Sequence, residues 1–367
     1  MKVLMLSLDR GLFGHGTSGD VLERHRKYAD AAGFLDIIVF AGRSFTNKIV
    51  SPNLRIFPTR SKKFFHQRQA FELARKLASD NQYDLLVTQD FASPAGASVK
   101  VFFGIPWVVN IHSMFFSSQW LRLNPLNWYL MFRIKKAVRS ADGFRVNNEA
   151  IREKLISWGI KAPILVQPTP IDIERFRSHS PRRTKGKTAG ENAIVQLLFV
   201  GRLAPEKNLP MLIEVAKNIK ENFELKIVGS GSEGGKLKAL AQGDPRIEFL
   251  GPKTIEELPE IFKSADIFVL PSHTESFGQV LLQAAASGCA IIATATMGAN
   301  NILGDNEYGK LVPVNSEPDL QQALIELITT QYQREYWQGR AQELASRYDS
   351  TTGVARTINF WKEIAKK

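Results

Sequence analysis

A chain of 367 residues that is 44% hydrophobic is long enough for two ordinary domains, and it holds no apolar run near the roughly 20 residues that cross a bilayer. Its single cysteine, Cys289, excludes an internal disulfide and, beside an apolar run, reads as a small core residue. The net charge of +12 sits wholly in residues 1–180, with 26 Lys and Arg against 14 Asp and Glu, while residues 181–367 hold 22 of each. The first half is therefore expected to face something anionic, with plain solubility as the alternative, and basic charge without a reading module argues against nucleic acid.

Met1 to Asp9 is too short for a signal peptide and reads as a first strand, Lys2 to Leu8, so a cytoplasmic location is expected. Gly14, His15 and Gly16 follow it in a glycine-rich loop. At the carboxyl end of a parallel strand such a loop is placed for substrate contact, an ordinary strand-to-helix loop being the alternative. Gly14, Gly16 and Gly19 do not make a dinucleotide fingerprint, because Asp36 precedes the second strand instead of ending it. A helix from Asp20 to Ala32 leads to strands at Leu35–Phe40 and Leu54–Phe57, with 42–53 read as polar connection. Arg60 to Arg68 interleaves bases with Phe64 and Phe65 and starts a helix to about Ala78. Next come a strand at Asp84–Thr88, a helix at Ser93–Phe103 and a strand from Trp107 that carries His112 at its end, where a polar side chain points to the ligand crevice. Residues 113–139 are aromatic and basic together: Phe115, Trp120, Trp128, Tyr129 and Phe132 beside Arg133, Lys135 and Lys136. With residues 62–65 they form a candidate contact with an anionic membrane surface. The half closes with a strand at Gly143–Val146, a helix at Glu149–Trp158, a strand at Ile164–Val166, a proline-stiffened crossover from Pro168 and a polar linker over 178–192.

The second half opens on a strand from Ile194 to Val200 that runs into Gly201–Asn208, where Arg202 and Lys207 can clamp a diphosphate. Leu225–Val228 ends at Gly229, and Ile247–Gly251 ends near Lys253. The stretch from Ala265 to Thr294 reads as strand (Ile267–Leu270), helix and strand (Ala290–Ala293), a βαβ unit. Ser276 and Gln279 have capping-box spacing at the helix start, and the amides of Gly278, Gln279 and Val280 are placed to receive a phosphate. Residues 317–347 and 352–367 read as helical.

Gly201-Arg-Leu with Glu206-Lys-Asn, Glu275 eight positions before Gln283, and Tyr308-Gly-Lys-Leu-Val together resemble the signature of retaining GT-B glycosyltransferases, family 4 (glycosyl transferases group 1). Two departures stand out: Gln283 replaces the second Glu of the motif, and Met297-Gly298-Ala replaces a Gly-Gly run. The resemblance implies an α/β fold of two Rossmann-like domains whose parallel sheets face across a cleft. Residues 1–170 would bind acceptor and residues 171–350 the donor, with helix 352–367 packing back on the first domain. It further implies that His112 and Glu275 act at the donor sugar. Arg202, Lys207, Phe277, Gly278, Gln279 and Val280 would bind the diphosphate, and Gln283, Gly229 and Lys253 would lie by the nucleoside. Gly14, His15 and Gly16 would form the acceptor or cleft loop. The implied activity is transfer of a hexosyl unit from UDP- or GDP-hexose to a glycan or lipid-linked acceptor, with retention. No metal and no cofactor are implied, the nucleotide-sugar being a substrate, and the place of action is the cytoplasm or the inner face of the membrane. A nucleotide-sugar epimerase and a noncatalytic nucleotide-sugar-binding homologue are the alternatives.

Overall fold

The computed structural model describes residues 1–14, 21–112, 116, 121, 124–169, 172–177, 194–275, 277–347 and 350–366. His15, Gly16, Phe115, Trp120, Ser276 and the linker over 178–192 lie outside the described residues. The chain divides into two units, Met1–Pro170 with Ser350–Lys367, and Ile171–Asp349.

Unit 1 is built on an eight-stranded sheet ordered β3-β4-β2-β1-β5-β6-β7-β8. Its strands are β1 (Lys2–Ser7), β2 (Phe34–Val39), β3 (Lys48–Ser51), β4 (Leu54–Pro58), β5 (Leu85–Gln89), β6 (Trp107–Ile111), β7 (Gly143–Val146) and β8 (Ile164–Val166). Runs such as Val3–Leu6 and Ile37–Val39 are wholly buried, as strands covered on both faces require. Leu4, Leu6, Val109 and Phe144 turn to one core and Val3, Met5 and Val108 to the other. Every pairing is parallel except that of β3 with β4. This edge strand replaces part of the expected connection: only four residues long, with Ile49 78% exposed, it carries no burial signal to be read.

Helices α1 (Val21–Ala32), α2 (His66–Asp80), α3 (Ser93–Phe103), α4 (Pro125–Ala137) and α5 (Glu149–Ser157) follow in order. The terminal helix, Ser350–Ala365, packs on the same sheet as α1. A Cβ on Gly143 would lie 2.9 Å from Ile364, and the rings of Tyr28 and Trp361 stand 5.4 Å apart. Among the described residues no helix is long and apolar enough to cross a membrane.

Unit 2 has six parallel strands, β9 (Val195–Val200), β10 (Phe223–Val228), β11 (Ile247–Gly251), β12 (Ile267–Leu270), β13 (Ala290–Thr294) and β14 (Lys310–Val312). Their order, β11-β10-β9-β12-β13-β14, is that of a dinucleotide-type sheet, whose order reverses between β9 and β12. Cys289 is fully buried, its thiol turned to the carbonyl of Phe262. The helical stretch over 317–347 is two helices, Glu317–Thr329 and Gln331–Ser346, broken at Thr330.

Candidate functional site

Ligands of such sheets sit beyond the carboxyl ends of the strands where the order reverses, and the turns after β9 and β12 bring together residues 68 apart in sequence. A short helical turn, Pro205–Lys207, ends on Asn208 in the left-handed region (φ 49°) and presents Lys207. Its Nζ lies 2.5 Å from Glu275 Oε2, and both side chains are only 16% exposed. The two turns are tied together by the His273 amide, which donates to the Glu206 carbonyl at 2.9 Å. Arg202 stands apart from this pair: its side chain is 70% exposed and its Nη2 reaches Glu206 Oε1 at 2.6 Å.

The loop carrying Glu275 is held from behind. Thr294 Oγ1 donates to the Ser272 carbonyl at 2.6 Å, and the Gly298 amide donates to the Glu275 carbonyl at 2.8 Å. A Cβ on Gly298 would come within 2.7 Å of that carbonyl and 2.8 Å of the Phe277 nitrogen, so only glycine admits this approach. Phe277 itself is buried in the unit 2 core. The following helix, Gln279–Ala286, starts differently from the capping-box expectation. Its N-cap is Gly278, left-handed at φ 79°, and Gln279 is its first residue, so Gln279 cannot reach back as the third residue of a box. The first-turn amides of Gln279 and Val280 nevertheless lie at the positive end of a buried helix.

Close packing of glycines shapes the floor. A Cβ on Gly229 (φ 139°) would fall 1.8 Å from the Gly201 carbonyl oxygen, and one on Gly231 2.2 Å from that of Leu203. Gln283 is 9% exposed, and no hydrogen bond among the described residues reaches its side chain. Lys253 pairs with Glu257 at 3.3 Å. Sequence reasoning missed Gly298 and Thr294; the signal for Gly298 was present in the Met-Gly-Ala run but points to backbone contact only once Glu275 is seen beside it.

In unit 1, His112 follows β6. Its amide donates to Asp90 Oδ1 at 2.9 Å, and Nδ1 faces Asn147 Oδ1 and Thr169 Oγ1, each at 3.4 Å. The Asn147 side-chain amide returns to the His112 carbonyl at 3.3 Å. His112 is half-buried, and protein groups surround its ring. This burial, with the Arg145 guanidinium nearby, pushes His112 down to about 3, so it is neutral at physiological pH. Asp90 holds its place from a strained left-handed conformation (φ 40°). Gly14 closes the short helical turn Arg10–Phe13 at φ 84°.

Residues 184–344 match the family model for Glycosyl transferases group 1, and residues 24–175 match that for Glycosyltransferase Family 4. The alpha-monoglucosyldiacylglycerol synthase of Streptococcus pneumoniae is 24% identical over 86% of this chain and 76% of its own length. The D-inositol 3-phosphate glycosyltransferase of Geodermatophilus obscurus is 32% identical over 44% of this chain and 39% of its own. The chain spans less than half the length of several of the curated relatives it matches. In fold it is similar to sucrose-phosphate synthase from Thermosynechococcus elongatus (TM-score 0.84, 18% identity, 99% of both chains). It is also similar to Anabaena HepE in complex with UDP and glucose (TM-score 0.77, 18% identity, 99% of this chain and 100% of that one).

Proposed function

The chain belongs to the GT-B glycosyltransferases of the group 1, family 4 type, and from that premise we propose that it moves a hexosyl unit from a UDP- or GDP-hexose to a glycan or lipid-linked acceptor, with retention and without a metal. The observation that carries this reading is the shielded Lys207–Glu275 pair at the strand-order reversal of unit 2, beside a helix start and a glycine-packed floor. In the reaction the bond from sugar C1 to the diphosphate oxygen breaks, and the diphosphate leaves with the electron pair. An acceptor hydroxyl oxygen bonds to C1 on the same face and gives up its proton to the leaving group. Lys207, and Arg202 once it turns from Glu206, would offset the charge that grows on the diphosphate, together with the amides at Gly278 to Val280. Glu275 would accept from sugar hydroxyls, and neutral His112 would exchange a hydrogen bond with another. Gly229, Lys253 and Gln283 would lie toward the nucleoside.

Support for the donor class comes from structures similar in fold: Anabaena HepE is described in complex with UDP-glucose, and a structure described as trehalose-6-phosphate from E. coli is bound with UDP-2-fluoro glucose. The test is transfer of labelled sugar from UDP- or GDP-hexose to a membrane or glycan extract, with Lys207→Met and Glu275→Gln as controls. Product formed equally by both variants would refute the reading. Gln283, buried where the family motif has a carboxylate, favours a second reading as a nucleotide-sugar binder without transfer. That reading requires nucleotide binding with no product from any donor.

A membrane-facing acceptor is supported by the surface of unit 1. Phe64 (91% exposed) lies in the short turn Lys63–Phe65 that leads into α2, Phe102 (61%) on α3, and Trp128 (57%) and Phe132 (63%) on α4; α2 packs on α3 and α3 on α4. Basic residues Lys62, Lys63, Arg133, Lys135 and Lys136 intersperse them. We assign to this band a peripheral contact with anionic lipid at the cytoplasmic face.

A further inference from the structure

One strand layer below His112, unit 1 holds a group of buried polar side chains, several of whose atoms have no hydrogen-bond partner among the described residues. Asn110 on β6 and Arg145 on β7 are paired in register, so they stand side by side on one face of the sheet. The neighbours of Arg145 in its strand, Phe144 and Val146, turn to the opposite core, so Arg145 points under α1 and the terminal helix. Arg145 is 2% exposed, yet among the described residues its hydrogen bonds go to two carbonyls, Nε to Gln167 at 3.2 Å and Nη2 to Pro168 at 3.0 Å. Among the described residues no carboxylate pairs with it, and burial lowers its proton affinity.

On the same side of the sheet, buried atoms without partners among the described residues are Asn110 Oδ1, His25 Nε2 and Tyr28 Oη, and Trp361 Nε1 on the ring that packs against Tyr28. His25 and Tyr28 lie on α1 with rings 5.8 Å apart, and both act electrostatically with Arg145. The tautomer of His25 is fixed, because its Nδ1 lies 2.7 Å from the Val21 carbonyl, which can only accept. Nδ1 therefore carries the proton and Nε2 offers a lone pair. Thus the layer presents one buried cation, with the Arg24 guanidinium also acting on it, two acceptors that want a hydroxyl donor, and a phenol that serves either way. Buried polar atoms in folded proteins are nearly always paired, and four orphans beside an unneutralised guanidinium share one explanation.

We infer that the layer of Asn110, Arg145, His25 and Tyr28 is a recognition site for an oxyanion flanked by hydroxyl groups, as in a polyol phosphate or the polar end of a phospholipid. The guanidinium takes the oxyanion, Asn110 Oδ1 and His25 Nε2 accept from the hydroxyls, and Tyr28 bridges the two. On the glycosyltransferase reading above this is the acceptor's polar group, so the inference deepens that reading and rests on it.

The probe is sn-glycerol 3-phosphate, titrated against the intact protein by calorimetry beside glycerol, inorganic phosphate and matched chloride. Vesicles of phosphatidic acid in phosphatidylcholine test the lipid-borne form of the same group. The expected result is that glycerol 3-phosphate binds more tightly than phosphate or glycerol alone. Arg145→Gln is expected to weaken it about tenfold or more. Tyr28→Phe removes a hydroxyl that has no partner among the described residues, so it keeps the fold and loses several-fold in affinity. Dependence on Arg145 with vesicles alone assigns the site to lipid. Affinity unchanged in both variants, or no binding by soluble or vesicle probe, overturns the inference. UDP and GDP are titrated in parallel: nucleotide binding without any phosphate site sinks this inference and spares the donor reading, while loss of nucleotide binding alone sinks the donor reading.

Discussion

Among the described residues Lys207 and Glu275 are each other's only ion-pair partners, and each side chain is only 16% exposed. Removing one charge leaves the other stranded, which is expected to cost about 2–3 kcal/mol. Urea denaturation of Lys207→Met and Glu275→Gln should show this loss, with the double variant recovering part of it. Turnover behaves otherwise: Lys207→Met should lower kcat/KM about a hundredfold or more, with no recovery in the double variant. A second expectation concerns acid. His25 is buried and held down to about 3, against an ordinary value of 6.5. Its unfolded form takes up a proton below 6.5 while its folded form refuses one until about 3. Stability from this residue is therefore full above 6.5 and falls through that window as pH drops, by about 1.4 kcal/mol per pH unit. His112 acts in the same direction. His25→Gln should flatten the slope of unfolding free energy between pH 6 and 4, and an unchanged slope would contradict the buried-neutral assignment. Lys207 and Glu275 were readable beforehand because both lie in motifs at strand ends. Arg145 was not: within Gly-Phe-Arg-Val it looks like a solvated position on a half-exposed strand, and only the cover of two helices makes it a buried cation.

At the scale of elements, strands with uninterrupted apolar runs announce themselves, and Ile267–Leu270 and Ile164–Val166 have the bounds that their sequences suggest; Gly143–Val146 does too, although Arg145 interrupts it. So does the helix Ser93–Phe103, closed by Gly104 in the left-handed conformation. What was hidden is geometry set by contacts remote in sequence. The start of Gln279–Ala286 is moved two residues by the left-handed Gly278, and the edge strand Lys48–Ser51 exists because β4 offers it a partner. The glycine floor provides a graded test. Alanine at 229 meets carbonyl oxygen at 1.8 Å in a conformation that disfavours any side chain, whereas alanine at 298 meets it at 2.7 Å. Gly298→Ala is expected to cost about 1–3 kcal/mol and Gly229→Ala more. Both should be read by thermal unfolding with nucleotide affinity alongside; equal, negligible losses would mean that the turns are not pressed together.

For the whole molecule, the basic excess of residues 1–180 falls in a unit that also exposes Phe64, Phe102, Trp128 and Phe132. Co-sedimentation with anionic vesicles at low salt is expected, weakening as salt screens the charge. The triple variant Phe64→Ser, Trp128→Ser, Phe132→Ser should release the protein even at low salt; retention of binding would leave charge alone as the cause. Composition showed the charge but not the band, since exposure of an aromatic is decided by which helices cover it. The terminal helix is the other molecule-scale feature, for its Trp361 is wholly buried against unit 1. Trp361→Ala is expected to cost about 3–5 kcal/mol, seen as faster hydrogen exchange in β6 and β7 with protection in β12 and β13 retained.

That helix also sets an order of events at the ribosome. Residues 350–366 are polymerised only after all of unit 2, so the sheet that emerges first waits uncovered along Gly143 and Val108 while some 180 further residues are added. At about 5–20 residues per second this is a delay of roughly 10–40 s. The nascent amino-terminal half must therefore pass that interval with an open apolar flank, which makes it the part of the protein a chaperone would hold.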